Sequence, residues 1–214
     1  MIGDKIVAKP YHIQAAKQIF PALEKAAGQD RTAITIAGES GSGKSEIASE
    51  LAKCFEAAGR KTYIFQQDDY FFYPPKSNHA MRVKSIAHVG PGEVNLELLD
   101  EHLHAFKQLR KKKITKPLVI FAEDRIAHED INIEAFDIAI AEGTYTTSLH
   151  NADYRVFIDR TYQDTLQDRK ARNRDVIDGF TDRILKIEHE IISKHKELAS
   201  IIIENNYSVT IVKI

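Results

Sequence analysis

Apolar residues recur along the chain with two different periods. Ile47, Leu51 and the pair Cys54/Phe55 fall at helical spacing within 44–58, with Cys54 on the core side. Leu96, Leu99, Leu103 and Phe106 mark one face of a second helix, with Asn95 placed to cap its start. The stretch 11–27 also reads as helical, but Pro21 removes a backbone donor, which predicts a kink or two short helices before Gly28 ends them. Short apolar runs predict strands at 32–37, 62–66, 136–141, 154–158 and 207–212, and a hairpin of 118–121 with 126–133 across a charged turn. A long helix opened by Thr181 is expected to carry Ile184, Ile187, Ile191, Leu198 and Ile202, and the stretch 169–174 is expected to be helical too. Strands alternating with helices predict an α/β fold around a mostly parallel sheet.

The 214 residues fit one domain, and 43% hydrophobic with 29% charged residues supports a packed core. Thirty Lys and Arg against 31 Asp and Glu leave a net charge of −1. A dedicated nucleic-acid or membrane-surface binder would be basic, so neither partner is expected. The single cysteine excludes an internal disulfide framework and a Cys-rich zinc site. The nine histidines show no ligand spacing: His102 and His104 point to different sides of a helix, and His189 and His195 are too far apart for one turn. With no apolar run long enough to span a bilayer and no secretory start, a cytoplasmic protein is expected.

Chemistry enters at Gly38-Glu39-Ser40-Gly41-Ser42-Gly43-Lys44-Ser45, which fits G-x-x-x-x-G-K-[ST] without a mismatch. The glycines let consecutive N–H groups turn inward toward a phosphate chain, and the following helix adds its free N–H groups and positive end. Lys44 supplies a mobile charge for the β- and γ-phosphates, and the Ser45 hydroxyl suits Mg²⁺. A Gly/Ser linker would use similar residues, but the strand before and the helix after favour a nucleotide loop over residues 38, 40–43, 44 and 45.

In a parallel sheet the C-terminal strand ends share one edge, where ligands bind. Asp68 and Asp69 follow the second strand, and Glu142-Gly143 follows 136–141, so Gly38, Asp68 and Glu142 are expected to converge. A carboxylate there can accept the proton of an attacking hydroxyl or hold Mg²⁺. Asp68 is assigned the first role and Glu142, with Ser45, the second. Arg169, Lys170, Arg172 and Arg174 crowd a further helical stretch, as a lid closing over ATP requires. The competing reading of that stretch is a solvated helix paired with Asp164, Asp168 and Asp175.

This order of features resembles the uridine kinase/phosphoribulokinase family of P-loop kinases over most of 30–214. The resemblance is carried by the 38–45 loop, by Gln67-Asp68-Asp69-Tyr70-Phe71, by Glu142-Gly143, by Val156-Phe157-Ile158-Asp159 and by the arginines at 169–174. It implies one P-loop kinase domain over 1–214, a three-layer fold with helices on both sheet faces, a hairpin insertion at 118–133 and a lid at 160–180. It implies ATP, Mg²⁺ and phosphorylation of a small-molecule hydroxyl. Catalysis falls to Asp68 and Lys44, nucleotide binding to the loop with Arg169 and Arg172, and acceptor contacts to Asp68, Tyr70 and Arg174. It also implies assembly into homo-oligomers.

Two acceptor-side motifs differ. Where the family has Pro-x-Tyr-Asp this chain has Pro117-Leu118-Val119-Ile120, and a His-Pro-Asp-like segment is replaced by Gly90-Pro91-Gly92-Glu93. Uridine or cytidine is the first expectation for the acceptor. Another nucleoside, a sugar, a sugar phosphate or a pantothenate-like alcohol are the alternatives, and a regulatory ATPase without acceptor is the rival from another class. The guanine-reading Asn-Lys-x-Asp of switch GTPases is missing.

Overall fold

A computed structural model of the chain describes residues 6–109, 112–172 and 178–214, the side chains of 171 and 172 excepted. Along the chain run α1 (Pro10–Ala27), β1 (Thr32–Gly38), α2 (Lys44–Ala57), β2 (Thr62–Gln66), α3 (Pro75–Lys84), α4 (Leu96–Gln108), β3 (Lys113–Ile120), β4 (Arg125–Asn132), β5 (Ile138–Gly143), β6 (Tyr154–Ile158), α5 (Leu166–Arg172), α6 (Gly179–Ile192), β7 (Ile201–Ile203) and β8 (Val209–Ile211). Six strands form one sheet in the order β2-β5-β1-β6-β7-β8, parallel except for β8 at the edge. β3 and β4 pair separately as an antiparallel hairpin.

Every residue of β1 is buried, which is why its sequence reads as a continuous apolar run. Ile34 and Ile36 pack toward α1 and α2, against Ile19, Leu23, Ile47, Leu51 and Phe55. Ala33 and Ala37 point the other way, into a core with Phe65, Leu99, Leu103 and Phe106. The hairpin adds Ile114 and Ile131 to that second core, and α6 adds Ile192. Truncating one of these side chains to Ala costs about 2–5 kcal/mol. The three-layer α/β expectation holds. No helix among the described residues is long and apolar enough to cross a membrane.

Several local expectations are corrected. α1 runs unbroken through Pro21, which lies on its exposed side, so the Lys17 carbonyl that loses its partner faces water. Cys54 is half-buried, and Phe55 takes the core position instead. The hairpin starts earlier than 118 and runs from Lys113 to Asn132. α6 is capped by Asp178, which accepts from the Thr181 N–H at 2.8 Å, and it ends at Ile192. Leu198 lies beyond it, and Ile202 belongs to β7. A short isoleucine run fits a buried strand or a helix equally well by period alone. α3 was not predicted, and its start is held from outside: Asp124 in the hairpin turn accepts from the N–H groups of Lys76 (2.6 Å) and Ser77 (3.2 Å).

Candidate active site

The parallel register builds the site. Glu142 pairs across with Ile36 on one side and Gln66 on the other, so the ends of β1, β2 and β5 meet at one edge. The loop leaves β1 there. Gly41 (φ 80°) and Gly43 (φ 97°) occupy left-handed backbone that a side chain disfavours. A Cβ on Gly41 would also lie 2.8 Å from Cγ of Arg169, and one on Gly43 2.6 Å from Nε2 of His12. Gly143 is required for a different reason, because Gln67 packs where its Cβ would stand. The Lys44 ammonium curls back and donates to the Glu39 carbonyl at 3.0 Å.

Ser45 Oγ donates to Glu142 Oε1 at 3.0 Å. Burial first, and then the negative charge of Asp68, push the Glu142 carboxyl up to about 7, while Lys44 and the Ser45 hydroxyl hold it down. Asp68 and Glu142 therefore share one region. Asp68 itself is exposed on the turn Gln67–Tyr70. Its neighbour Asp69 is 2% exposed and is committed to the hairpin. Asp69 accepts from Lys116 Nζ at 2.8 Å and from the Val119 N–H at 2.9 Å, and Lys116 also meets Glu129 at 2.8 Å. The two adjacent aspartates thus have opposite environments, one open and one structural.

Arg169 is 4% exposed and lies against Gly41. One Nη donates to the Tyr162 carbonyl at 2.9 Å, but Nε and the other Nη are buried without a partner. Ser42 Oγ is buried without a partner as well. Buried donors of this kind are costly unless an anion completes them, so the loop's surroundings fit a phosphate chain. A serine hydroxyl beside a buried carboxylate is an oxygen donor set suited to Mg²⁺. The side chain of Arg172, and Arg174 altogether, lie outside the described residues.

Tyr70 does not join the open face expected of an acceptor contact. It is 1% exposed within the core of α4, and its hydroxyl pairs with His102 Nδ1 at 2.8 Å. Its aromatic ring is worth more buried against Phe65, Leu99 and Leu103 than at the site.

The chain motif gave no sign of several supports of the loop. Glu39 accepts from the Tyr162 N–H at 2.6 Å and pairs with His189 Nδ1 at 2.6 Å. Thr165 Oγ1 donates to the Ser40 carbonyl at 2.8 Å. From behind, Tyr207 donates to the Ser42 carbonyl at 3.2 Å, and its oxygen also meets His12 Nε2 (3.1 Å) and Arg160 Nη1 (2.6 Å). Each of these contacts joins residues far apart in sequence.

Comparison with known proteins agrees with this geometry. The family model "Phosphoribulokinase / Uridine kinase family" matches residues 33–197. A uridine kinase of Clostridium novyi (strain NT) is 31% identical over 183 residues, covering 79% of this chain and 85% of that protein. The bifunctional alpha-galactosidase/sucrose kinase AgaSK of Mediterraneibacter gnavus is 28% identical over 195 residues, 85% of this chain; the chain spans 21% of that relative's length. The structure of a possible uridine kinase from Bacillus stearothermophilus superposes with a TM-score of 0.65 at 16% identity, covering 88% of this chain and 97% of the other, a likeness of fold.

Proposed function

The chain belongs to the phosphoribulokinase/uridine kinase family, and from that premise we propose that it transfers the γ-phosphoryl group of ATP to a hydroxyl of a small molecule. One juxtaposition carries this reading: the phosphate loop, the Ser45–Glu142 pair and the open Asp68 share a single sheet edge. The loop amides and Lys44 hold the β- and γ-phosphates, and Arg169 and Ser42 complete their own hydrogen bonding on the nucleotide. Ser45 and Glu142 would hold Mg²⁺, which would supply charge neutralisation on the phosphates. Asp68 accepts the proton of the acceptor hydroxyl. The freed oxygen forms the new bond to the γ-phosphorus as the bond to the β–γ bridging oxygen breaks, and ADP leaves. Asp69 takes no part, being spent on Lys116.

The acceptor is a small hydroxyl compound. Relatives named uridine kinase and sucrose kinase both cover about four fifths of the chain, so they leave nucleoside and sugar side by side.

Calorimetry with ATP and Mg²⁺ tests the loop. Lys44→Ala is expected to weaken ATP binding by about 10²-fold or more, because a charge-assisted contact to phosphate is lost. Unchanged affinity would remove the basis for the reading. ADP release that proceeds at one rate with and without every acceptor would favour a regulatory ATPase instead.

A further inference from the structure

Polar side chains that the nucleotide reading leaves unused gather on the wall beside Lys44. Glu93, wholly buried in the turn Pro91–Glu93, is saturated. Arg82 of α3 forks onto it (Nε 2.6 Å, Nη2 2.9 Å), Asn78 Nδ2 donates at 2.5 Å, and the Gly90 N–H donates at 2.8 Å. The same Nη2 of Arg82 meets Glu188 Oε1 of α6 at 3.1 Å. One guanidinium therefore serves two carboxylates. Glu188 is followed on α6 by His189, whose Nδ1 meets Glu39 of the phosphate loop at 2.6 Å, which places the group on the loop's side of the molecule. Burial is the largest influence on the Glu188 carboxyl and pushes it up to about 7.

Tyr145 provides an independent observation. It stands two residues past Gly143, is 1% exposed, and its hydroxyl has no hydrogen-bond partner. That hydroxyl lies within electrostatic reach of Glu188, Glu93 and Arg82. A buried hydroxyl left unpaired, with a carboxylate of the same region keeping lone pairs open, is completed by a ligand that both donates and accepts hydrogen bonds.

Accepting the kinase reading, we infer that this wall is the acceptor-recognition surface, where Glu188 and Tyr145 hydrogen-bond the hydroxyls of an uncharged polyhydroxylated molecule, a free sugar or polyol. Arg82 is the positioning residue that holds Glu188. Sugar hydroxyls donate to carboxylates, and this wall supplies carboxylates. A sugar phosphate or sugar acid would bring a negative charge to a group whose one guanidinium is already committed to carboxylates. A pyrimidine edge carries carbonyl acceptors beside its N–H donors and needs protein donors for them, but Arg82 and Asn78 are spent on Glu93. On β3 the segment Pro117-Leu118-Val119-Ile120 offers no aromatic ring to stack on a base.

The test is a phosphoacceptor screen of the full chain with ATP and Mg²⁺, read by product mass. Its three classes are neutral sugars and polyols, pyrimidine nucleosides, and sugar phosphates with sugar acids. Transfer to at least one neutral sugar or polyol is expected. Glu188→Gln should then raise the acceptor KM about tenfold, the loss of one charge-assisted hydrogen bond, and leave the KM for ATP unchanged. Tyr145→Phe keeps the ring and should raise the acceptor KM several-fold in the same selective way. Transfer to nucleosides or to anionic sugars alone overturns the substrate class and leaves the kinase reading standing. An acceptor KM untouched by both substitutions overturns the assignment of the wall. Transfer to no class overturns the kinase reading and this inference with it.

Discussion

Between Gly38 and Ser45, eight consecutive residues form the turn proposed to bind phosphate, and two of its glycines, Gly41 and Gly43, adopt left-handed backbone. The wall beside Lys44 is assembled the opposite way, taking Arg82 from α3, Glu93 from a turn, Tyr145 from beyond β5 and Glu188 from α6. The loop is a local solution to anion binding, in which backbone conformation does most of the work. The wall is a tertiary one, in which Arg82, Glu93 and Glu188 each depend on a partner from another segment and the Tyr145 hydroxyl is left without one. On the proposed reading, a kinase built this way can keep its nucleotide end while its acceptor end is rewritten, because the one is contiguous in sequence and the other is not.

The sharpest way to break that contrast is at Asp68 and Asp69, adjacent in sequence and opposite in burial, with chemistry proposed for the first alone. Asp68→Asn is expected to lower turnover by about 10²–10⁴-fold, with ATP affinity and melting temperature unchanged. Asp69→Asn should instead destabilise the fold by about 3 kcal/mol, since it leaves Lys116 buried with only the half-exposed Glu129 to answer its charge. Chemical denaturation and steady-state rates on both variants check this. A reversal of the two phenotypes would move the base to Asp69.

The next effect concerns the loop's rear support and depends on pH. Nδ1 of His12 accepts from the Lys9 N–H at 3.2 Å, and burial lowers its pKa from 6.5 to about 4. The unfolded chain therefore takes up a proton near pH 6.5 that the folded chain refuses until about pH 4. Stability is full above that window and falls as the pH drops through it, by up to about 3 kcal/mol. His12→Gln should flatten this part of the stability–pH curve. Equal slopes for variant and parent between pH 6.5 and 5 would show that His12 is not held neutral.

The smallest effect is at a helix cap. Asn95 Oδ1 accepts from the Leu98 N–H at 3.1 Å and caps α4, so Asn95→Ala should cost about 1 kcal/mol in denaturation without changing any kinetic constant. A kinetic change would mean that α4 is coupled to the site.

The legible parts of the chain share one property, which is that their signal lies in neighbouring residues. β2 and β6 fall on the residues their apolar runs predict, and β1 extends its run by Gly38 alone. The convergence of Gly38, Asp68 and Glu142 follows from parallel strand order, and the register bears it out. Tyr70 was misplaced because a tyrosine after a strand serves a site or a core equally well until its neighbours are known, and here His102 and Phe65 claim it. α3 was missed because its start is capped by Asp124, 48 residues away from Lys76.

The sequence by itself determined the α/β alternation, the phosphate loop and the presence of carboxylates at the strand ends. Each of these is written in a period or a contiguous motif, and local backbone physics is enough to read it. Only the tertiary structure decided which of two adjacent aspartates stays open, that Arg169 keeps buried donors unpaired beside Gly41, and that Arg82 ties Glu93 to Glu188 while the Tyr145 hydroxyl is buried without a partner. Those outcomes depend on burial and charge contributed by distant segments, and packing alone brings those segments together.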